Sequence, residues 1–372
     1  MSDAFAAALR TWPEGGVPSK PEAWLLHAAR RRLIDRARRD QTHAANSSGL
    51  AQLLAEAEDL STQSVFPDER LKLLFVCAHP AIDARVHTPL MLQVVLGLEA
   101  AEIAAAFVTP PSTMGQRLTR AKTKIREACI AFEVPSGAEL PARLFAVLEA
   151  IYAAYAFGWD DVAGADEKRR GLRDEALWLA RTCAELLPDE PEALGLSALL
   201  CYCEARRSQR RASDGAYVPM SEQDSTRWDR ALLSEADRWL GTAATKQRPG
   251  RFQLEAAVQS AHVDRLRGGD VSWSQIIVLY EGLIRIAPTL GALLGKIAAV
   301  AEAHGPEAAL QLLDALHAED VRDHQPYWAV RAHLLHAMAR THEAKAALDN
   351  ALALTEDEAV RAFLIRSYQR PA

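Results

Sequence analysis

The chain has 372 residues and a net charge of −6 at neutral pH, with 49% hydrophobic and 25% charged residues. This composition is typical of a globular protein of two or three domains and excludes a collagenous or mostly disordered chain. Alanine is abundant and aromatic residues make up only 6%, which favours closely packed helices over sheets. No apolar run reaches the roughly 20 residues of a membrane helix, and the start lacks a signal-peptide pattern. We therefore expect an all-α, cytoplasmic protein with no membrane partner.

The first 67 residues predict two helices and a tether. The helices cover 3–12 and 21–40 and are separated by the Pro/Gly-rich segment WPEGGVP. Residues 30–39 hold six Arg and one Asp, and Arg30, Arg31 and Arg36 of this run are candidate contacts to DNA phosphates. The polar, Ser/Thr-rich segment 41–67 is interpreted as a flexible tether between two modules.

Residues 68–128 predict four helices. The pattern breaks at His79-Pro80, at Gly97 and at Thr109-Pro110-Pro111. The last two helices form a short helix, a turn of three or four residues and a longer basic helix, which is the layout of a helix-turn-helix. The predicted bounds are 68–78, 83–96, 100–107 and 112–128.

The second helix of this pair carries side chains that suit DNA. Four apolar residues are spaced to form the internal core of the motif, namely Ile103, Phe107, Met114 and Leu118. Hydroxyls suit phosphates, Gln pairs with adenine, Arg pairs with guanine, and Lys meets the backbone. The candidate DNA-binding residues are Ser112, Thr113, Gln116, Arg117, Arg120, Lys122 and Lys124, with Arg126 further along. An amphipathic helical hairpin with a solvated basic face is the alternative interpretation.

From about residue 141 the pattern predicts helix after helix. Residues 305–310 are echoed 36 residues later by 341–346, and the earlier stretch YEGLIRIAP ends at Pro288. A period near 34 residues with paired amphipathic helices is typical of tetratricopeptide repeats (TPR). We therefore expect a TPR-like helical domain in the C-terminal part of the chain.

The cysteines and histidines do not predict a metal site. The five cysteines are odd in number and have no C-x-x-C spacing, which favours a reducing compartment over a disulfide framework. Cys77 and the Cys201/Cys203 pair lie in apolar, helix-like runs, where buried thiols are expected rather than zinc ligands. His333 and His336 are three residues apart, but nothing nearby completes a metal site. We expect no metal and no cofactor.

No motif predicts an enzyme. The chain has no P-loop, G-x-G-x-x-G, H-E-x-x-H or G-x-S-x-G pattern. The acidic pairs Asp160-Asp161 and Asp189-Glu190 lie beside turns and are expected to cap helices rather than to catalyse. We expect no catalytic residue.

With both basic segments placed, the chain resembles a bacterial RNA polymerase sigma factor of the extracytoplasmic-function (ECF) type, in the subgroup with a long C-terminal helical-repeat extension. PEAWLLHAARRRLIDRARR resembles the end of sigma region 2, which meets the promoter −10 element. The stretch from PDERLKLLFVCAHPAIDARV through STMGQRLTRAKTKIREA resembles region 4, which reads the −35 element. LPDEPEALGLSALL and DGAYVPMSEQDSTRWDR are similar to the extension, and the latter block is the most specific to the subgroup.

The chain also departs from this family. Met1 stands close to a segment that lies well inside region 2 of the family, so the resemblance implies an N-terminally truncated region 2. YAAYAFGWDD stands where the subgroup has an Asn-Glu-Gly-Tyr-like stretch, and Gly295-Lys296 stands where it has an Asn-Arg pair. The roles of those family residues are not carried over to this chain.

The resemblance implies a sigma-like transcription initiation factor that directs core RNA polymerase to promoter DNA. Region 4 would read the −35 element, and the helical extension would regulate the factor in cis or through a protein partner. A helical-repeat adaptor with a vestigial sigma front end is the competing hypothesis. The expected domains are 1–42 (partial region 2), 43–66 (linker), 67–134 (region 4) and 135–372 (TPR-like extension).

Overall fold

The computed structural model describes residues 69–107, 109–128, 130, 135, 139–159 and 167–369. The helices predicted at 3–12 and 21–40, the tether at 41–67, and Arg30, Arg31 and Arg36 lie outside these residues. The chain divides into two compact units, Met1–Arg143 and Leu144–Ala372. The boundary falls within the first turn of a helix, somewhat later than the expected start of the C-terminal domain at 135.

The described part of the chain is all-α, as predicted. It contains sixteen α-helices and three short 3-10 helices, and its one β-bridge joins Arg211 to Tyr217. In the first unit, α1 is Glu69–Cys77, α2 is Ala84–Val94, α3 is Ala100–Ala106 and α4 is Pro111–Glu127. These bounds match the four predicted segments to within a few residues, because Pro and Gly set the breaks in both cases.

The second unit is a succession of helices, most of which pack on their neighbours in sequence. The helices are α5 Leu140–Trp159, which begins at the end of the first unit, α6 Glu167–Leu186, α7 Pro191–Ala205, α8 Arg230–Thr245, α9 Arg251–Leu266, α10 Trp273–Ile286, α11 Leu290–His304, α12 Pro306–Asp314, α13 Ala318–Val321, α14 Gln325–Ala337, α15 Thr341–Ala353 and α16 Glu358–Gln369.

The echoed segments 305–310 and 341–346 stand at the starts of α12 and α15. Helix α11 packs on α12, and α14 packs on α15. Buried residues from all four helices form one hydrophobic cluster, which includes Leu294, Leu310, Leu334 and Leu348. The repeat in the sequence therefore marks a repeated helix pair around a shared core.

Helix α5 is long and apolar. Over Leu140–Gly158 its composition and mean hydropathy of 1.4 would allow a membrane span, although Arg143 and Glu149 interrupt the apolar run. A core helix of a water-soluble protein passes the same test. Glu149 of α5 pairs with Arg251, and the Tyr152 ring packs 5.6 Å from that of Phe252. These contacts connect α5 to the start of α9.

Candidate nucleic-acid interface

A short turn joins α3 to α4 in the first unit. The Glu102 carboxylate accepts a hydrogen bond from the Glu99 backbone N–H at 2.7 Å, which closes the first turn of α3. After α3 ends, the Thr109 N–H donates to the Ala104 carbonyl at 2.9 Å. Pro110 is the N-cap of α4 and Pro111 is its first residue. Proline is well tolerated there because the backbone N–H groups of the first turn have no partner within the helix.

The core between these two helices is largely the predicted one. Ile103, Met114 and Leu118 are buried, and α3 packs on α4. The prediction for Phe107 is wrong, since 38% of this residue is exposed. Phe107 is the C-cap of α3, where the chain leaves the helical path and the predicted spacing no longer applies. Instead, the small residue Ala121 is buried on the side of α4 that carries Met114 and Leu118.

One flank of α4 presents unpaired positive charge. Arg117, Arg120 and Lys124 follow i, i+3, i+7 spacing, so they lie along one side of the helix. All three are exposed, and none forms an ion pair with a residue that the structure describes. Their charges are therefore available to a partner in solution.

The remaining predicted side chains lie around this flank. Ser112 and Gln116 are exposed, and Thr113 is half-buried in the first turn of α4. Pro110 offers no side chain to cap this helix, so the first-turn backbone N–H groups point outward from the helix end. These three residues and the flank of Arg117, Arg120 and Lys124 thus form one continuous surface of a 17-residue helix.

Lys122 lies on the other flank of α4. It is exposed, and its charge acts on the buried thiol of Cys77 in α1. Burial raises the pKa of Cys77 to about 12, and Lys122 lowers it by a smaller amount. Lys122 therefore lies about half a turn around the helix axis from Arg117, Arg120 and Lys124. It would meet a different phosphate from the one that these residues meet.

The described cysteines are free thiols. Cys77, Cys183 and Cys201 are buried, and Cys203 is half-buried. Burial raises the pKa of Cys201 to about 12, so this thiol stays protonated at neutral pH. No group of three or more metal-ligating side chains occurs among the residues that the structure describes.

The acidic pair before α7 does not act as predicted. Glu190 is the N-cap residue of α7, but its side chain makes no capping hydrogen bond. The Asp189 carboxylate accepts a hydrogen bond from Lys246 Nζ at 2.6 Å, which lowers its pKa. Asp189 therefore joins the start of α7 to the end of α8.

A long connection, residues 206–229, joins α7 to α8 and contains most of the DGAYVPMSEQDSTRWDR block. Arg211 pairs with Asp357 at the start of α16, and the Tyr217 ring packs 5.3 Å from Phe363 of the same helix. Further along, the Ser225 hydroxyl donates to the Leu266 carbonyl at the end of α9 at 3.1 Å. This connection, called the bridging loop below, thus ties an early part of the second unit to its last helix.

A cavity of about 920 Å³ lies beside the bridging loop. Its wall includes loop residues 219–222 and side chains from α9, α10, α11, α14, α15 and α16. His333 and His336, which the sequence placed on one helix, both line it. The sequence offers no local signal for this cavity, because its wall is drawn from segments up to about 150 residues apart.

Gly295 and Lys296, which depart from the sequence pattern noted above, have local structural roles. A Cβ at Gly295 would stand 2.5 Å from the end of the Tyr280 ring, so a larger residue here would displace this ring. Lys296 Nζ pairs with Glu281 Oε1 at 2.9 Å across the same two helices. Both residues therefore serve the packing of α11 on α10.

His262 on the cavity wall makes stability depend on pH. Burial, with the charges of Arg206 and Arg265, lowers its pKa from 6.5 to about 4. Between these two values the unfolded chain binds a proton that the folded protein does not, so stability falls as the pH is lowered. We expect a loss of about 2 kcal/mol in the free energy of unfolding between pH 7 and pH 5.

Urea unfolding of the native protein and of His262→Gln at both pH values measures this effect. The variant keeps a polar side chain but cannot titrate, so we expect its loss over the same interval to be smaller by about 2 kcal/mol. An equal loss in both proteins would show that His262 is not the responsible group.

Comparisons with known proteins place the chain in a family. Residues 143–244 match the model of a family of unknown function, DUF6596. The chain is 34% identical over 371 residues to the uncharacterized protein R00370 of Rhizobium meliloti (strain 1021), covering 98% of this chain and 87% of that protein. The chain belongs to the same family as this protein. No solved structure matches the chain. The family model spans α6, α7 and the bridging loop, together with nearly all of α5 and α8.

Proposed function

We propose that this protein is a sigma-like transcription initiation factor whose α3–α4 pair reads promoter DNA. The observation that carries the proposal is the exposed cationic flank of Arg117, Arg120 and Lys124 on a helix that follows a short helix and a tight turn. The resemblance of residues 67–134 to sigma region 4 supports the same role, with the −35 element as the DNA read.

The placement of side chains on α4 suggests how DNA would be bound. The N-terminal turns of a recognition helix lie deepest in the major groove, which puts Gln116, Arg117 and Arg120 near base edges. Arg binds guanine through two hydrogen bonds, and Gln pairs with adenine in the same way. Ser112, Thr113, Lys122 and Lys124 would contact phosphates, which fix the position of the protein without reading sequence.

In this proposal the rest of the chain positions the α3–α4 pair on the promoter and regulates its activity. The Arg-rich segment with Arg30, Arg31 and Arg36 would lie near the −10 element. Core RNA polymerase would perform the chemistry in the cytoplasm, so the protein needs no catalytic residue or cofactor. Residues 135–372, as a TPR-like extension, would control the output in cis or by binding a protein partner.

Alanine substitution of Arg117 or Arg120 tests the DNA contact. We expect each variant to weaken binding by about 1–3 kcal/mol, or roughly 5- to 150-fold in Kd, since each Arg is placed at a base edge. The measurement is a gel-shift titration at fixed salt on DNA selected from a random library by the native protein. Lys124→Ala should instead weaken binding to all sequences and reduce the salt dependence by about one phosphate contact.

Arg85→Ala is the matched control for these variants. Arg85 is an exposed cation of the same unit, but it pairs with Asp83 at 2.6 Å and lies on α2. Its removal lowers the net charge by the same amount and should leave specific binding nearly unchanged. Equal losses in Arg85→Ala and Arg117→Ala, or native affinity in both Arg117→Ala and Arg120→Ala, would contradict the proposed reading face.

Transcription in vitro distinguishes a sigma-like initiation factor from a helical-repeat adaptor. With core RNA polymerase and the promoter of the protein's own gene, a sigma-like factor should give a specific run-off transcript. A helical-repeat adaptor with a vestigial front end, favoured by the extent of the second unit over residues 144–372, should give none and form no stable complex with the polymerase.

A further inference from the structure

The second unit contains a cavity whose wall is mostly apolar but includes the guanidinium group of Arg265. The cavity measures about 920 Å³, which is within the range of small-molecule sites. Trp273, Tyr280, Phe363 and Tyr368 contribute aromatic surface, and alanines of α11 and α14 allow close approach to the helix backbones. A ligand held here would bury a large apolar body.

The cation is Arg265 at the end of α9. Its guanidinium lies 4.3 Å from the centre of the Trp273 ring, and its Nη1 makes a long hydrogen bond of 3.4 Å to the Val271 carbonyl. Arg265 forms no ion pair with a carboxylate in the described part of the chain. A guanidinium stacked on an aromatic face keeps its edge free for a planar carboxylate, which it binds through two parallel hydrogen bonds.

His262 stands beside this cation. Its ring packs edge-on against Trp273 with ring centres 5.7 Å apart. The His262 ring is neutral at pH 7 and adds one N–H donor but no charge. Arg265, Trp273 and His262 thus form a compact anchor at one end of an apolar space.

The carboxylates on the wall limit the charge of a ligand. Glu222, which has a partner of its own, and the exposed Glu302 also line the cavity. They would repel a second negative group, so the wall suits a ligand with one anionic group rather than a polyphosphate.

The bridging loop limits the size of the ligand. It is fixed at one end to α16 by Arg211–Asp357 and Tyr217–Phe363, and at the other to α9 by Ser225. Between these points Pro219 and its neighbours cover one side of the cavity. A cavity bounded in this way accommodates a whole small molecule better than a passing polypeptide.

We propose that this cavity binds a small amphiphilic monocarboxylate, with the carboxylate on Arg265 and the apolar body against the aromatic wall. The site is independent of the DNA-binding face of α4, since every residue that lines it belongs to the second unit. It gives the C-terminal part of the protein a ligand-binding activity of its own.

Calorimetric titration of the full chain with octanoate, and with octan-1-ol as the neutral analogue of equal length, tests the proposal. We expect saturable binding of one octanoate per chain and affinity for octan-1-ol lower by about 10-fold or more, because a charge-assisted hydrogen bond is lost. Arg265→Gln should reduce octanoate affinity by about the same factor and leave octan-1-ol unaffected.

Two matched controls keep the test specific. Arg267→Gln removes an exposed cation two residues away that does not line the cavity, and it should bind octanoate normally. Ala298→Trp adds a large side chain at an exposed position on the cavity wall and should abolish binding, whereas Ala346→Trp, exposed on α15 and outside the wall, should not.

Three results would each overturn the proposal. Absence of saturable octanoate binding, equal affinity for octanoate and octan-1-ol, or native affinity in both Arg265→Gln and Ala298→Trp would each reject a monocarboxylate site. Circular dichroism melting of every variant confirms that a loss of binding is not a loss of fold. None of these outcomes depends on DNA binding by α4.

Discussion

Replacing Glu204 with alanine is expected to reduce the free energy of unfolding by about 1–3 kcal/mol, which is a sizeable part of the stability of a typical domain. Glu204 Oε2 accepts a hydrogen bond from the Tyr155 hydroxyl at 3.1 Å and lies 3.5 Å from Nε of Arg173. Its Oε1 accepts a hydrogen bond from Arg207 Nε at 2.9 Å. One carboxylate therefore joins side chains of α5, α6 and the start of the bridging loop.

The size of this effect comes from the burial of Arg173. Only 5% of the Arg173 side chain is exposed, so its charge cannot be solvated when Glu204 is removed. Losing one partner of a buried ion pair costs far more than the pair gains, because the remaining charge stays in a medium of low dielectric. Asp174 also pairs with Arg173, at 2.8 Å, but its own side chain is largely exposed and screened by water.

Urea denaturation of three variants measures the effect. Glu204→Gln keeps the size and the acceptor for Tyr155 but loses the charge, so it should fall between the native protein and Glu204→Ala. Arg173→Met combined with Glu204→Ala should be more stable than Glu204→Ala alone, since the buried charge of Arg173 is removed as well. A free energy of unfolding for Glu204→Ala within about 1 kcal/mol of the native value would contradict this account.

Gly195→Ala is expected to destabilise the protein by about 3 kcal/mol, although alanine is the better helix former. Gly195 lies in the middle of α7, where α7 crosses the start of α9. A Cβ at this position would stand 2.5 Å from the backbone nitrogen of Gln253 and 2.8 Å from its Cα. Both neighbours are backbone atoms, so the two helices must move apart.

That movement would also break the hydrogen bonds that hold the crossing. The Glu192 carboxylate of α7 accepts hydrogen bonds from the backbone N–H groups of Phe252 and Gln253, each at 3.0 Å. These bonds cap the N-terminus of α9, where a negative charge is also favoured by the helix dipole. The added methyl group therefore costs both packing and capping.

Gly171→Ala is the matched control. Gly171 is also inside a helix, α6, but nothing lies within 4 Å of a Cβ built there. We expect this change to be neutral or to stabilise the protein by up to about 1 kcal/mol, as helix propensity alone predicts. If thermal and urea unfolding gave Gly195→Ala the same stability as Gly171→Ala, the close approach of α7 and α9 would not be a constraint.

Sequence reasoning came closest where the signal is local. Proline and glycine mark helix ends by their own backbone restrictions, so the bounds of α1 to α4 follow from the printed sequence within a few residues. The exposed positions of Arg117, Arg120 and Lys124 follow from the period of the helix once Met114 and Leu118 are assigned to the core. Phe107 was misplaced because helical spacing was extended through the residue that ends α3.

The sequence does not predict which charged residues pair with one another. Asp189 was expected to cap a helix, but it pairs with Lys246, which is 57 residues further on. Arg211 and Asp357 are separated by 146 residues. Pairings over such distances depend on how helices stack, and no local pattern encodes that.

The sequence by itself therefore determined that the described part of the chain is helical, where α1 to α4 begin and end to within a few residues, and which face of α4 carries positive charge. These features follow from interactions within a few residues along the chain. The tertiary structure alone decided that the bridging loop reaches α16, that Gly195 and Glu192 fix the crossing of α7 and α9, and that Arg265, Trp273 and His262 meet at one cavity. Each of these depends on close packing between distant helices, where a shift of one ångström changes which side chains touch.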